Sequence, residues 1–110
     1  MKHNMKNIDN KDSFRATLDG KSMQTIEDLF YETSNKLLFP DYFGNNWDAF
    51  DECLNDLDWI EQKNVILTVV NKEYILAKYP YHQEDIFFRL LRESQDEWNQ
   101  KDTKKVHFII

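Results

Sequence analysis

Residues 65–70 read Val-Ile-Leu-Thr-Val-Val, a nearly unbroken run of branched aliphatic side chains. Such a run suits a strand covered on both faces, as in a parallel sheet, where helical crossovers lie over the strands. The flanking sequence supplies those crossovers. Residues 14–18 (FRATL) form a short predicted strand that ends at the turn pair Asp19-Gly20. Thr25 followed by Asp28 is a capping-box-like start, and Ile26, Leu29, Phe30, Thr33 and Leu37 then recur at helical spacing to about Leu38. Pro40 punctuates, and residues 41–46 form a loop.

A second helix is expected from about Trp47 to Asp56, with Asn45 or Asn46 as its N-cap. After the central strand a short helix over 72–78 is expected. A long helix follows over 83–99, with the stripe Ile86, Phe87, Leu90, Leu91 and Trp98. Residues 106–110 (VHFII) close the chain as a last, buried strand. Helices between successive strands mean parallel neighbours and right-handed connections. The expected fold is therefore α/β, a three-stranded parallel sheet with helices packed on it. It forms one domain over 14–110, preceded by a flexible tail, 1–13.

Charge is distributed unevenly. Residues 37–62 contain Asp41, Asp48, Asp51, Glu52, Asp56, Asp58 and Glu61 and no Lys, Arg or His. The remaining chain holds 13 acids and 14 bases, so this one segment carries the whole net charge of -6. An acidic domain is a poor candidate for gripping phosphate backbones, so nucleic acid is not an expected partner. The segment reads either as a solvated face or as a steering surface for a basic protein. Its aromatic residues, Tyr42, Phe43, Trp47, Phe50 and Trp59, favour the second reading, because binding surfaces are rich in large aromatics. On the predicted second helix, Trp47, Phe50, Cys53, Leu54 and Leu57 share one arc. Asp48, Asp51, Glu52 and Asn55 lie across the other and face outward.

Other chemistries lack their residues. One cysteine cannot close an internal disulfide or build a cysteine zinc site, and Cys53 reads as a small core residue. His3, His82 and His107 are scattered; His107 alternates with apolar residues and is expected to be a satisfied structural histidine. Only Gly20 and Gly44 are available, too few for a phosphate loop. Asp48 and Glu52 on one exposed helical face lack the cleft and asymmetry of an acid/base pair, and no calcium-loop glycine follows Asp48 and Asp51. Neither an enzyme, a metal nor a cofactor is expected. No apolar run has the length of a membrane helix and residues 1–13 hold no apolar signal core, so a cytoplasmic protein without a membrane partner is expected.

Residues 39–54 (FPDYFGNNWDAFDECL) resemble the signature loop and second helix of the barstar family of bacterial intracellular ribonuclease inhibitors. The similarity extends more weakly over residues 14–110. The resemblance implies a small α/β protein, monomeric when free. Such a protein neutralises a ribonuclease toxin one-to-one by placing carboxylates where substrate phosphates would sit. It implies that Tyr42 and Phe43 pack on the enzyme, that Gly44 is the permissive loop glycine, and that Asn46 opens the helix. Asp48 matches the first inhibitory carboxylate, and Glu52 stands where the family has its dominant Asp. Asp51 replaces an aromatic residue, Leu57 replaces a tryptophan with Trp59 close by, and Glu93 matches a third acid. Asp51 and Asn55 join this outward surface from the helical pattern. These departures fall in the recognition surface, so a nuclease other than a barnase-type enzyme fits equally. Two other classes stay open: an acidic regulatory module whose partner is no nuclease, and a small acidic enzyme.

Overall fold

The computed structural model describes residues 12–41 and 43–110. Three strands, β1 (Ser13–Asp19), β2 (Asn64–Val70) and β3 (Lys105–Ile109), form one parallel sheet in the order β1-β2-β3. Three α-helices connect them: α1 (Ile26–Lys36) and α2 (Trp47–Leu54) between β1 and β2, and α3 (Glu84–Asn99) between β2 and β3. This is the expected α/β architecture. β1 starts at Ser13, one residue before the expected domain boundary, and residues 1–11 of the expected tail lie outside the described residues.

Among the described residues the sheet is covered on one face, not on two. Ala16 and Leu18 of β1 and Leu67 and Val69 of β2 are buried with Leu29 and Phe30 of α1, Phe50 and Leu54 of α2, and Phe87, Leu90 and Leu91 of α3. Val65, Val106, Leu57, Ile60 and Trp98 form a second cluster at the other end of the sheet. On the opposite face Arg15, Ile66 and His107 stand in register across the three strands, with Arg15 and His107 exposed and Ile66 half-buried. The aliphatic run of β2 therefore reflects its central place: both ladders protect its backbone, and neighbouring side chains shelter its outer face. β3 is an edge strand with only Val106 buried, and His107 lies in solvent, so both sequence expectations for this segment are corrected.

Local chemistry sets the element ends. The Thr25 hydroxyl accepts from the Asp28 backbone N–H and caps α1, with Glu27 and Asp28 in its first turn, where the helix dipole favours carboxylates. α1 closes with a Schellman-type bond from the Phe39 N–H to the Ser34 carbonyl, with Leu38 in the left-handed region at φ 57°. The helix expected over 72–78 is only a 3₁₀ turn at Lys72–Tyr74. Asn71 and Leu76 hold left-handed backbone there. The N–H groups of Leu76 and Lys78 donate to the Met23 and Gln24 carbonyls, at 2.8 and 3.0 Å, and so cannot build a helix. Gly20 is required at this crossing: a Cβ on it would lie 1.9 Å from the Asn71 carbonyl oxygen.

Candidate functional site

The acidic segment is laid over an aromatic base. Phe39 closes α1, and its ring packs on Phe43, with centroids 5.0 Å apart, and on Trp59 at 6.0 Å. Phe30 of α1 meets Phe43 at 5.8 Å and Trp47 at 5.0 Å, and Trp47 meets Phe50 at 5.5 Å. These contacts are mostly edge-to-face, the arrangement that ring quadrupoles favour. Two indole N–H groups tie the edges of this base. Trp59 Nε1 donates to the Leu37 carbonyl at 2.9 Å, and Trp47 Nε1 donates to Gln83 Oε1 at 2.9 Å. Gln83 is the N-cap residue of α3 and makes no side-chain cap, because its carboxamide is committed to Trp47.

The loop leads directly into α2. The Phe43 N–H donates to the Pro40 carbonyl at 3.0 Å. Asn45 takes the left-handed turn at φ 53°, and Asn46 caps the helix, its Oδ1 accepting from the Ala49 N–H at 2.8 Å. Gly44 does not carry the left-handed angle. Its lack of a side chain instead leaves room for the Asn46 amide, whose Nδ2 would lie 3.1 Å from a Cβ at this position and donates to the Gly44 carbonyl.

α2 is eight residues long and stops at Leu54, two residues short of the expected end. The carbonyls at its C-terminal end accept from side chains outside the helix. Ser94 Oγ and Trp98 Nε1 of α3 both donate to the Leu54 carbonyl, at 3.3 and 2.8 Å. Lys101 Nζ donates to the Asn55 carbonyl at 3.2 Å while lying 4.3 Å from the centre of the Trp98 ring. That cation sits at the C-terminal, negative end of a helix with no base in its own last turn. Leu57 is buried as expected, but beyond the helix and in left-handed backbone at φ 53°.

Held in this way, α2 turns Asp48 and Glu52 into solvent, and Gly44, Asn45 and Asn46 are exposed beside them. Asp48 and Glu52 are four residues apart, so their Cβ atoms are ~5–6 Å apart on one face. Asp51 and Asn55 are half-buried and engaged with each other: Asn55 Nδ2 donates to the Asp51 carbonyl at 2.9 Å and to its carboxylate at 3.1 Å. Asn55 Oδ1 is buried and has no hydrogen-bond partner among the described residues. Glu93 is exposed on α3, one residue before Ser94. Phe43 is half-buried among Phe30 and Phe39, and Tyr42 lies outside the described residues. The aromatics of the segment, which the composition assigned to a docking surface, are therefore mainly its support. Phe50 is fully buried, and Phe43, Trp47 and Trp59 are half-buried.

Gln83 and Ser94 are the positioning residues that sequence patterning missed. Gln83 fell just before a helix, and Ser94 is a small polar residue on the α3 stripe, fully buried against Leu54. Periodicity scores apolar residues and passes over both.

Burial, with the neighbouring Asp56 and Glu52 charges, pushes the Cys53 thiol above its ordinary value, so it is a weak nucleophile. Burial and the adjacent Asp58 raise the Asp56 carboxyl. Burial lowers the Lys104 ammonium, which donates to the Ile60 and Gln62 carbonyls and ties the end of the acidic segment to the approach to β3. Among the described residues no group of three or more His, Cys, Asp or Glu is placed to hold a metal, and no helix is long and apolar enough to cross a membrane.

Comparison with known proteins adds two findings. The model of the family described as "Barstar (barnase inhibitor)" matches residues 13–110. A protein of Bacillus subtilis (strain 168) named "Putative ribonuclease inhibitor YrdF" is 31% identical over 83 residues, covering 76% of this chain and 87% of that relative.

Proposed function

The chain belongs to the barstar family, and on that premise we propose that it blocks a ribonuclease by filling the enzyme's basic cleft with α2 and the turn before it. At family level it is a ribonuclease inhibitor and not an enzyme. The finer reading is that Asp48 and Glu52 stand in for substrate phosphates against the cationic groups of the cleft. Gly44 and Asn46 let the backbone approach closely, and Glu93 of α3 adds a third carboxylate at the flank. Tyr42 is the apolar anchor of this surface. Asp51 and Asn55, bonded to each other, hold the C-terminal turn of α2 in shape and meet the partner at its rim.

The main support is that Asp48 and Glu52 are exposed on a helix whose opposite side is locked by Phe50, Trp47, Ser94 and Trp98. A carboxylate pair already held in position avoids the ordering cost that a flexible acidic tail would incur on binding. The concentration of acid in residues 37–62 also gives the approach a direction, because a basic cleft is attracted to that end of the molecule. In the cell this reading is of a cytoplasmic immunity protein, monomeric when free. It forms a one-to-one complex with a ribonuclease that would otherwise attack the producer's RNA.

The test is a titration of purified chain into a panel of bacterial ribonucleases, barnase among them, with RNA cleavage as the readout and stopped-flow association at several salt concentrations. Stoichiometric loss of cleavage for one enzyme, with an association rate that falls as salt rises, is the expected result. No inhibition across the panel, and no protection of cells made to express those ribonucleases, would overturn the reading. A salt-independent association rate would remove electrostatic steering.

A further inference from the structure

A pocket of about 640 Å³ opens between α1 and the turn at Asn45. Ile26 and Phe30 supply its apolar lining and Glu27, Asp28 and Asn45 its polar lining, and Tyr31, with 69% of its surface exposed, lines it as well. Among the described residues no basic side chain lines it. The helix dipole accounts for acids in the first turn of α1, but not for an exposed tyrosine beside an apolar wall.

The chemistry is specific. An aliphatic stem needs the Ile26 and Phe30 wall, a cation needs Glu27 or Asp28, and a planar cation gains further by stacking on the Tyr31 ring. Arginine meets all three requirements, because its guanidinium is flat, always charged and weakly hydrated, whereas lysine presents a compact, strongly hydrated point charge. The pocket is also continuous with the proposed inhibitory surface. Asn45 forms its wall and immediately precedes Asn46, the cap of α2. A stable protein interface covers roughly 800 Å² per partner, more than the outward face of an eight-residue helix provides. A protein seated on Asp48 and Glu52 therefore extends across neighbouring elements, and the turn at Asn45 leads it onto α1.

We propose that this α1 pocket is a second recognition site that receives an arginine side chain presented by the ribonuclease beside its cleft. The proposal rests on the ribonuclease-inhibitor reading for the identity of the partner, but not for the chemistry of the pocket. In that role α2 blocks catalysis, and the α1 pocket selects which ribonuclease is bound, since only an enzyme with an arginine at that distance fills it.

Two measurements separate the pocket from the inhibitory helix. In the first, N-acetyl-arginine amide is titrated into the full chain, with amide chemical shifts as the readout and N-acetyl-norleucine amide as the control. Saturable shifts confined to residues 26–35 and Asn45, weakened at least about threefold by Glu27→Gln and by Tyr31→Ala, are the expected result. Absence of saturable shifts, or shifts unchanged in both variants, overturns the pocket whatever the ribonuclease result. In the second, both variants and Asp48→Ala are tested for inhibition of the ribonuclease that the wild-type chain blocks. Weakened inhibition in all three supports the proposal. Weakening in Asp48→Ala alone overturns the role of the pocket and leaves the acidic helix standing. Weakening in the pocket variants alone supports the pocket and overturns the acidic helix.

Discussion

The Leu54 carbonyl fixes the C-terminal end of α2, and a double-mutant cycle on its two donors tests how firmly. Trp98 Nε1 approaches it at 2.8 Å and Ser94 Oγ at 3.3 Å, both in buried surroundings. Ser94→Ala leaves the indole bond in place and costs roughly 0.5 kcal/mol, the low end for one hydrogen bond. Trp98→Phe removes the stronger donor and part of a ring in the second core cluster, for about 2 kcal/mol from the lost bond and the space left behind. The packing loss is the same with or without Ser94, so it cancels in the cycle. The carbonyl's need for a partner does not cancel. With both donors gone a buried acceptor is orphaned, at a cost of about 1–3 kcal/mol. The double mutant is therefore expected to lose ~1 kcal/mol more than the sum of the singles. Urea unfolding of the four proteins gives this directly from midpoints at constant slope. At this chain length each kcal/mol also lowers Tm by roughly 4–8 °C. Additive losses, within ~0.3 kcal/mol, would refute the claim that the two side chains share one carbonyl and jointly hold α2.

Gly20→Ala forces a Cβ to within 1.9 Å of the Asn71 carbonyl oxygen and is expected to cost at least about 3 kcal/mol, read from the urea midpoint; a loss below ~1 kcal/mol would contradict this packing. Asp19 is held below its ordinary carboxyl pKa of 3.8, first by the Asn71 side-chain amide and then by the Lys21 backbone N–H. Its stabilising contribution is therefore present above 3.8 and lost as pH falls through the lowered folded value. Asn71→Gly preserves the left-handed backbone at φ 53° and removes the amide, so the Asp19 titration midpoint, followed by carboxyl NMR, is expected to rise toward 3.8. An unmoved midpoint would assign the shift to another group.

The fold was legible where one kind of signal acted alone. Caps and spacing located α1 through Thr25 and Asp28 and α3 through its apolar stripe, and the alternation of strands with helices implied a parallel sheet. It was less legible where tertiary bonds compete with local preference. Residues 72–78 have a helix-compatible composition, yet their N–H groups go to Met23 and Gln24. α2 ends early because α3 draws off the Leu54 carbonyl. The runs at 65–70 and 106–110 looked buried because hydropathy does not distinguish a strand sheltered by its neighbours from one covered by a second layer of helices.

At the site, the outward placement of Asp48 and Glu52 followed from helical period alone. The roles of the aromatics did not. A tryptophan among acids can anchor a partner or brace a loop, and only the Gln83 and Leu37 acceptors show that Trp47 and Trp59 brace. Those acceptors lie 36 and 22 residues away, beyond the reach of any local pattern.

The most direct test of the account is the inhibition constant of Asp48→Ala and Glu52→Ala against the ribonuclease that the wild-type chain blocks, with each variant's unfolding temperature measured alongside. Both side chains are exposed, so Tm is expected to stay within a few degrees, while inhibition weakens at least about tenfold, ~1.4 kcal/mol, in each. Wild-type inhibition in both variants, with the fold intact, would contradict the claim that α2 presents these carboxylates to the enzyme's cleft.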